Sequence, residues 1–119
     1  MSNKGLEVID HSVQLAHEWI NELAEKLGWQ DQKQVLKLLR AVLTGIRDHL
    51  PRDESAGFAA QLPIVLRGIY YEGWRPAKTP DPDRSKEGFV ARVESHFAMD
   101  REYSGEKDIT LVMRFLNGK

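Results

Sequence analysis

The sequence predicts an all-α protein of about six helices, and three observations carry that expectation. Apolar residues recur every three or four positions through the long segments. No segment sustains the two-residue alternation of a half-buried strand. Proline and glycine fall mostly between the periodic stretches rather than inside them. The expected architecture is one domain, residues 1–119, of two antiparallel helical hairpins packed through a central helical segment. The hairpins span residues 6–50 and 85–117, the central segment 53–75, and a loop 76–84.

In the first segment Ile9, Val13, Ala16, Ile20, Leu23, Ala24 and Leu27 fall on one narrow helical face. Glu18, Glu22 and Glu25 lie nearly opposite, where a helix keeps its solvated residues. Gly28 follows the last apolar position, a usual left-handed helix end. Asp31 is placed to accept the N–H three residues on, and Gln34 to reach back, as a capping box does. A second helix over residues 32–50 carries Val35, Leu39, Val42 and Ile46 on one face with Leu36 and Leu43 beside it. Pro51 marks its end. The four-residue connection pairs the two helices.

Residues 53–73 read as two short helices. Asp53 or Ser55 caps the first; Pro63 breaks the run and serves as the first residue of the second, which Gly73 ends. Pro76, Pro80 and Pro82 crowd the loop that follows. Asp83 or Ser85 starts a fifth helix with Phe89, Val93 and Phe97 four apart, and Ile109, Val112, Met113 and Leu116 keep helical spacing in the last.

An internal match runs through this pattern. Trp19, Leu23 and Leu27 superpose on Phe89, Val93 and Phe97 with a shift of 70; Val35, Leu38, Leu39 and Arg40 match Ile109, Val112, Met113 and Arg114 with a shift of 74. A duplication produces such a match, and so do two unrelated amphipathic hairpins. In either case neither hairpin buries its apolar face alone, so the two must pack together.

Leu39-Arg40-Ala41-Val42-Leu43, Leu50-Pro51, Ala59-Ala60-Gln61-Leu62-Pro63 and above all Leu66-Arg67-Gly68-Ile69-Tyr70-Tyr71-Glu72-Gly73-Trp74 form an ordered series. Over about Trp19 to Leu116 the chain resembles the bacterial family known as domain of unknown function 2267. The resemblance implies a two-part helical fold and brings no established activity and no catalytic residues. Ala98-Met99-Asp100 stands where the family's pattern leads one to expect a glycine-containing turn.

The central run also has its own physical reading. Arg67 precedes Tyr70 and Tyr71 by three and four residues, so its guanidinium is placed to cover a ring; Glu72 is placed to bond Arg67 or the Trp74 indole. Gly68 admits a close backbone approach. As architecture, these rings fill the seam between the halves. As a site, Arg67, Tyr70, Tyr71, Glu72 and Trp74 form an interaction surface or pocket, since Tyr, Trp and Arg dominate binding hot spots.

Composition bounds the rest. The 119 residues include no cysteine, which excludes disulfides, Cys-based zinc sites and a Cys nucleophile. Seventeen Lys and Arg against eighteen Asp and Glu give a net charge of −1. Lys33, Lys37, Arg40 and Arg47 share one side of the second helix, and such a stripe invites a nucleic-acid reading. Against it stand the acidic face of the neighbouring helix and a balance of ten basic and ten acidic residues over positions 1–79.

His11, His17, His49 and His96 show no repeated carboxylate–histidine spacing, so no metal or other cofactor is expected. Asp48 and His49 are neighbours on a helix and point about 100° apart, unsuited to a base and its orienter. No nucleophile elbow and no phosphate-binding glycine loop is present, so enzymatic activity has no positive support. The start lacks a signal-peptide core and no apolar run reaches transmembrane length, so a cytoplasmic location is expected. These readings point to a non-enzymatic interaction module whose partner is protein, self or other. A nucleic-acid regulator or small-ligand binder is the alternative.

Overall fold

A single helix, α2 (Gln32–His49), touches every other helix of the protein. The computed structural model describes residues 6–83, 85–97 and 102–119. Among them lie α1 (Glu7–Leu27), α2, α3 (Arg52–Ala59), α4 (Ile64–Tyr71), α5 (Lys86–Ser95) and α6 (Glu106–Asn117), with a 3₁₀ turn at Pro76–Lys78 and no strand. The protein is all-α, and no helix among the described residues is long and apolar enough to cross a membrane.

The reason for the position of α2 is its composition. Val35, Leu38, Leu39, Val42 and Leu43 are completely buried, covering more than one face of the cylinder. A helix apolar over so wide an arc needs neighbours on several sides. α1 and α6 also contact each other, as do α1 with α4 and α5 with α6.

Local signals set the helix ends. Gly28 adopts φ 75°, and its N–H returns to the Ala24 and Glu25 carbonyls, closing α1. Asp31 does cap α2, but its side chain accepts from Lys33 N, two residues on, at 2.9 Å. The role expected of Gln34 falls to a distant residue: the Glu102 carboxylate accepts the N–H groups of Gln30 at 2.8 Å and Asp31 at 3.3 Å. Pro63 breaks α3 from α4 as its missing N–H requires. Ser85 caps α5, accepting from Gly88 N at 3.0 Å. Asp83 stands behind this cap, and its bonds from the Ser85 hydroxyl and N–H hold its carboxyl below the usual range. The expected turn at Ala98-Met99-Asp100 lies outside the described residues, as does Arg84 at the end of the expected loop.

The apolar face of α1 departs from its pattern. No residue before Ala16 is buried; Ile9 is 55% and Val13 44% exposed, although both keep the spacing of core positions. The helix runs roughly two and a half turns beyond the last core contact. Trp29, which the helical pattern does not reach, is buried and stacks on Phe97 with centroids 5.5 Å apart and planes at 11°.

α5 packs closely on α2 at Gly45. A Cβ there would stand 3.1 Å from Phe89 Cε2 and 3.4 Å from Val93 Cγ2. Gly68, expected to admit a close backbone, faces open space instead. Chemical denaturation separates these glycines. Gly45→Val should lower stability by about 1–3 kcal/mol through overpacking. Gly68→Ala and Gly57→Ala, both in open helical positions, should raise it by about 0.5–1 kcal/mol each.

Candidate functional site

The residues singled out in the central run divide into two groups. Arg67 covers no ring: Nε donates to the Ala59 carbonyl at 3.0 Å, and Nη2 to those of Ala60 at 3.2 Å and Leu62 at 3.0 Å. It supplies donors to carbonyls that the end of α3 leaves without helical partners. Tyr70 is completely buried, its hydroxyl 2.6 Å from Ser55 Oγ and 3.2 Å from the Ser55 carbonyl it donates to. Burial pushes its phenol above the ordinary value of 10.0. Arg67 and Tyr70 thus fasten α4 to α3. Tyr71 and Trp74 are half-buried, rings 5.2 Å apart, and Glu72 is exposed. The Trp74 indole nitrogen is buried without a hydrogen-bond partner, so Glu72 bonds neither it nor Arg67.

Next to this segment lies a buried ionic cluster that sequence reasoning missed. Arg47 and Asp48 pair through two bonds of 2.8 Å, Nε to Oδ1 and Nη2 to Oδ2. Arg47 Nη1 donates to the carbonyls of Tyr70 at 3.3 Å and Glu72 at 2.5 Å, and the Asp48 carboxylate also binds Arg92 of α5. Asp81 bonds back from the loop, N–H to the Asp48 carbonyl at 2.7 Å and carboxylate to Arg92 at 3.5 Å. Arg47 is only 6% exposed, which removes it from the expected surface stripe. His49 takes no part; its ring meets Phe89 edge-on at 5.7 Å.

The rest of the stripe is exposed: Lys33, Lys37 and Arg40. The acidic counterpart expected on α1 does not engage it. Glu22 pairs with Lys119 at 2.9 Å, and no ion pair among the described residues joins Glu18, Glu22 or Glu25 to the cations of α2. Lys37 and Arg40 instead border a cleft of about 440 Å³ between α2, the end of α4 and α5. Thr44 and Arg47 line it from α2, Arg92 and His96 from α5, and Glu72 is the one acidic group among the described residues that line it.

The family model of an uncharacterized conserved protein, DUF2267, matches residues 16–119. The chain belongs to this family. No curated protein matches it. The match spans every helix from the buried part of α1 onward, so the ionic cluster and the cleft of this DUF2267 protein lie wholly inside the family region.

A second concavity of the DUF2267 chain is apolar. Ile46 and Met113 are common to two adjoining hollows of about 360 and 500 Å³. Leu50 and Phe89 line the first, Phe58 and Leu116 the second. The charged side chains at its rim are cationic, Lys86 and Arg114, with His49 beside them; Lys86 pairs with Glu106 at 2.9 Å, which raises its pKa. Met113, expected to be a core residue of the last helix, is 40% exposed. The described residues hold no group of three His, Asp or Glu side chains disposed for a metal ion.

Urea unfolding tests the polar interior. Asp48→Asn, which strands the buried Arg47 charge, should cost about 3–5 kcal/mol. Tyr70→Phe removes the bonds of its hydroxyl to the Ser55 hydroxyl and carbonyl, leaving the buried Ser55 hydroxyl only the Arg47 carbonyl at 3.4 Å, and should cost about 1–3 kcal/mol.

The two raised phenols set an alkaline limit. Burial, and for Tyr103 also its 2.7 Å bond to Glu94, holds both Tyr70 and Tyr103 above 10.0. Below pH 10.0 both phenols are protonated in the folded and the unfolded chain alike, and their full contribution is present. Above it the unfolded chain ionises first, so stability should fall with rising pH until the folded phenols also titrate. Absorbance of tyrosinate followed alongside circular dichroism should show these two phenols ionising together with loss of helix.

Proposed function

We propose that this protein is a non-enzymatic interaction module that binds protein through the apolar groove centred on Ile46 and Met113, and that the partner the surface favours is a second copy of the chain. The single observation that carries this reading is that the groove and the outer half of α1 both expose residues at core spacing. Met113 matches Leu39 in the internal alignment, and Leu39 is completely buried. Ile9 and Val13 continue the face that is covered from Ala16 onward. Among the described residues neither surface has an apolar cover, and each is of the kind that covers the other.

Charge supports the pairing. The outer turns of α1 bear Glu7 and Asp10 beside Leu6, Val8 and Ile9, whereas the groove is rimmed by Arg114, which forms no ion pair with a described residue, and by Lys86, already paired with Glu106. An amphipathic helix laid into a groove is a common recognition mode. Reciprocal insertion of two such helices closes a twofold dimer. In this reading Arg67 and Tyr70 frame the groove's neighbourhood by fixing α4 on α3, and Tyr71 and Trp74 belong to that frame.

Sedimentation equilibrium tests the reading. The chain should dimerise with a dissociation constant in the micromolar range. Ile9→Glu and Met113→Glu, both at exposed positions, should each yield a monomer of unchanged helicity, and added salt should weaken the dimer. A chain that stays monomeric at high concentration, or a dimer that both variants retain, overturns it.

A further inference from the structure

We infer that the cleft between α2 and α5 is a binding site for a small phosphate-bearing molecule, held between Lys37 and Arg40 on one side and Arg92 and His96 on the other. This site shares no lining residue with the apolar groove. Lys37 and Arg40 stand three apart on α2, and Arg92 and His96 four apart on α5, so each helix presents two nitrogen-bearing side chains to the same space.

The inference rests on which charges are already neutralised. Arg47 is fully engaged by Asp48 and two carbonyls, and it forms a wall rather than a receptor. Arg92 is anchored by Asp48 and Asp81, which hold its guanidinium in place at the cleft wall. Lys37 and Arg40 form no ion pair with any described residue, and Glu72 is the only carboxylate among the described residues that line the cleft. Lys37 and Arg40 thus bring to the cleft two cationic groups that no described carboxylate neutralises, and an anion bound there would pair with them.

Size and lining narrow the class. At about 440 Å³ the cleft falls within the range of small-molecule sites. Ala41 and Ile69 give it an apolar portion for the organic part of a ligand. A guanidinium fork suits a phosphate dianion, to which it offers parallel charge-assisted bonds. A phosphomonoester meets both halves of this description, and inorganic phosphate meets the charged half alone.

Calorimetric titration of the intact protein with inorganic phosphate, glycerol 2-phosphate and phenyl phosphate tests the site, with sodium sulfate as the competing anion. Saturable binding is expected, with phenyl phosphate tightest because it also occupies the apolar portion. Phosphate bound as tightly as the esters would overturn the organic ligand. Arg40→Gln should weaken binding by about tenfold, the loss of one charge-assisted contact, and His96→Gln should weaken it measurably. Lys33→Gln, exposed and outside the cleft, should leave it unchanged. Both variants alter exposed side chains, and unchanged circular dichroism verifies their fold. Equal weakening by Lys33→Gln, no saturation at concentrations on the order of ten millimolar, or retardation of duplex DNA that phenyl phosphate does not displace would each overturn the inference.

Discussion

Everything around α2 depends on one buried carboxylate. Asp48 lies at the end of a helix that is apolar on most sides, where a charge without partners would be costly to bury. Its two arginines come from different parts of the chain. Arg47 is its neighbour on α2 and continues to the carbonyls at the end of α4; Arg92 arrives from α5, 44 residues on. A single group thereby holds the central segment and α5 in register on α2. The apolar contact of Phe89 and Val93 over Gly45 is by its nature non-directional. The ionic joint supplies direction where the apolar contact does not.

The joint also sets what is left over. By engaging Arg47 and anchoring Arg92, Asp48 fixes one wall of the cleft, while Lys37 and Arg40 opposite it form no ion pair with a described residue. The same placement of α5 sets Phe89 against Ile46 and forms one bank of the apolar groove. Two surfaces of different chemistry, one cationic and one apolar, thus follow from one arrangement of α2 and α5.

Much of the fold is legible in the sequence because helix ends are local. Gly28, Pro63 and Ser85 mark boundaries through φ, a missing N–H and a hydroxyl cap, and none of these depends on distant residues. What lies beyond reach is long-range pairing. Spacing assigns Ile9, Val13 and Met113 to the core without saying whether anything covers them, and the structure leaves all three exposed. Adjacent helical residues diverge, which argues against Asp48 working with His49; the same rule hides the Arg47–Asp48 pair, because a long arginine folds back across one turn. Arg40 and Lys37 read as a stripe along one helix, whereas the cleft needs Arg92 and His96 from α5, a juxtaposition that no spacing reveals. Arg67 and Tyr70 stand out by composition, and only their partners show that they serve the frame.

The most direct test of this account is the coupling between Asp48 and Arg92, measured by a double-mutant cycle of Asp48→Asn and Arg92→Gln in urea unfolding. The account predicts a coupling well above the ~1 kcal/mol ceiling of exposed ion pairs, because the carboxylate is buried and the pair joins two helices. Additive effects of the two substitutions would contradict it, and would return the positioning of α5 to apolar packing alone.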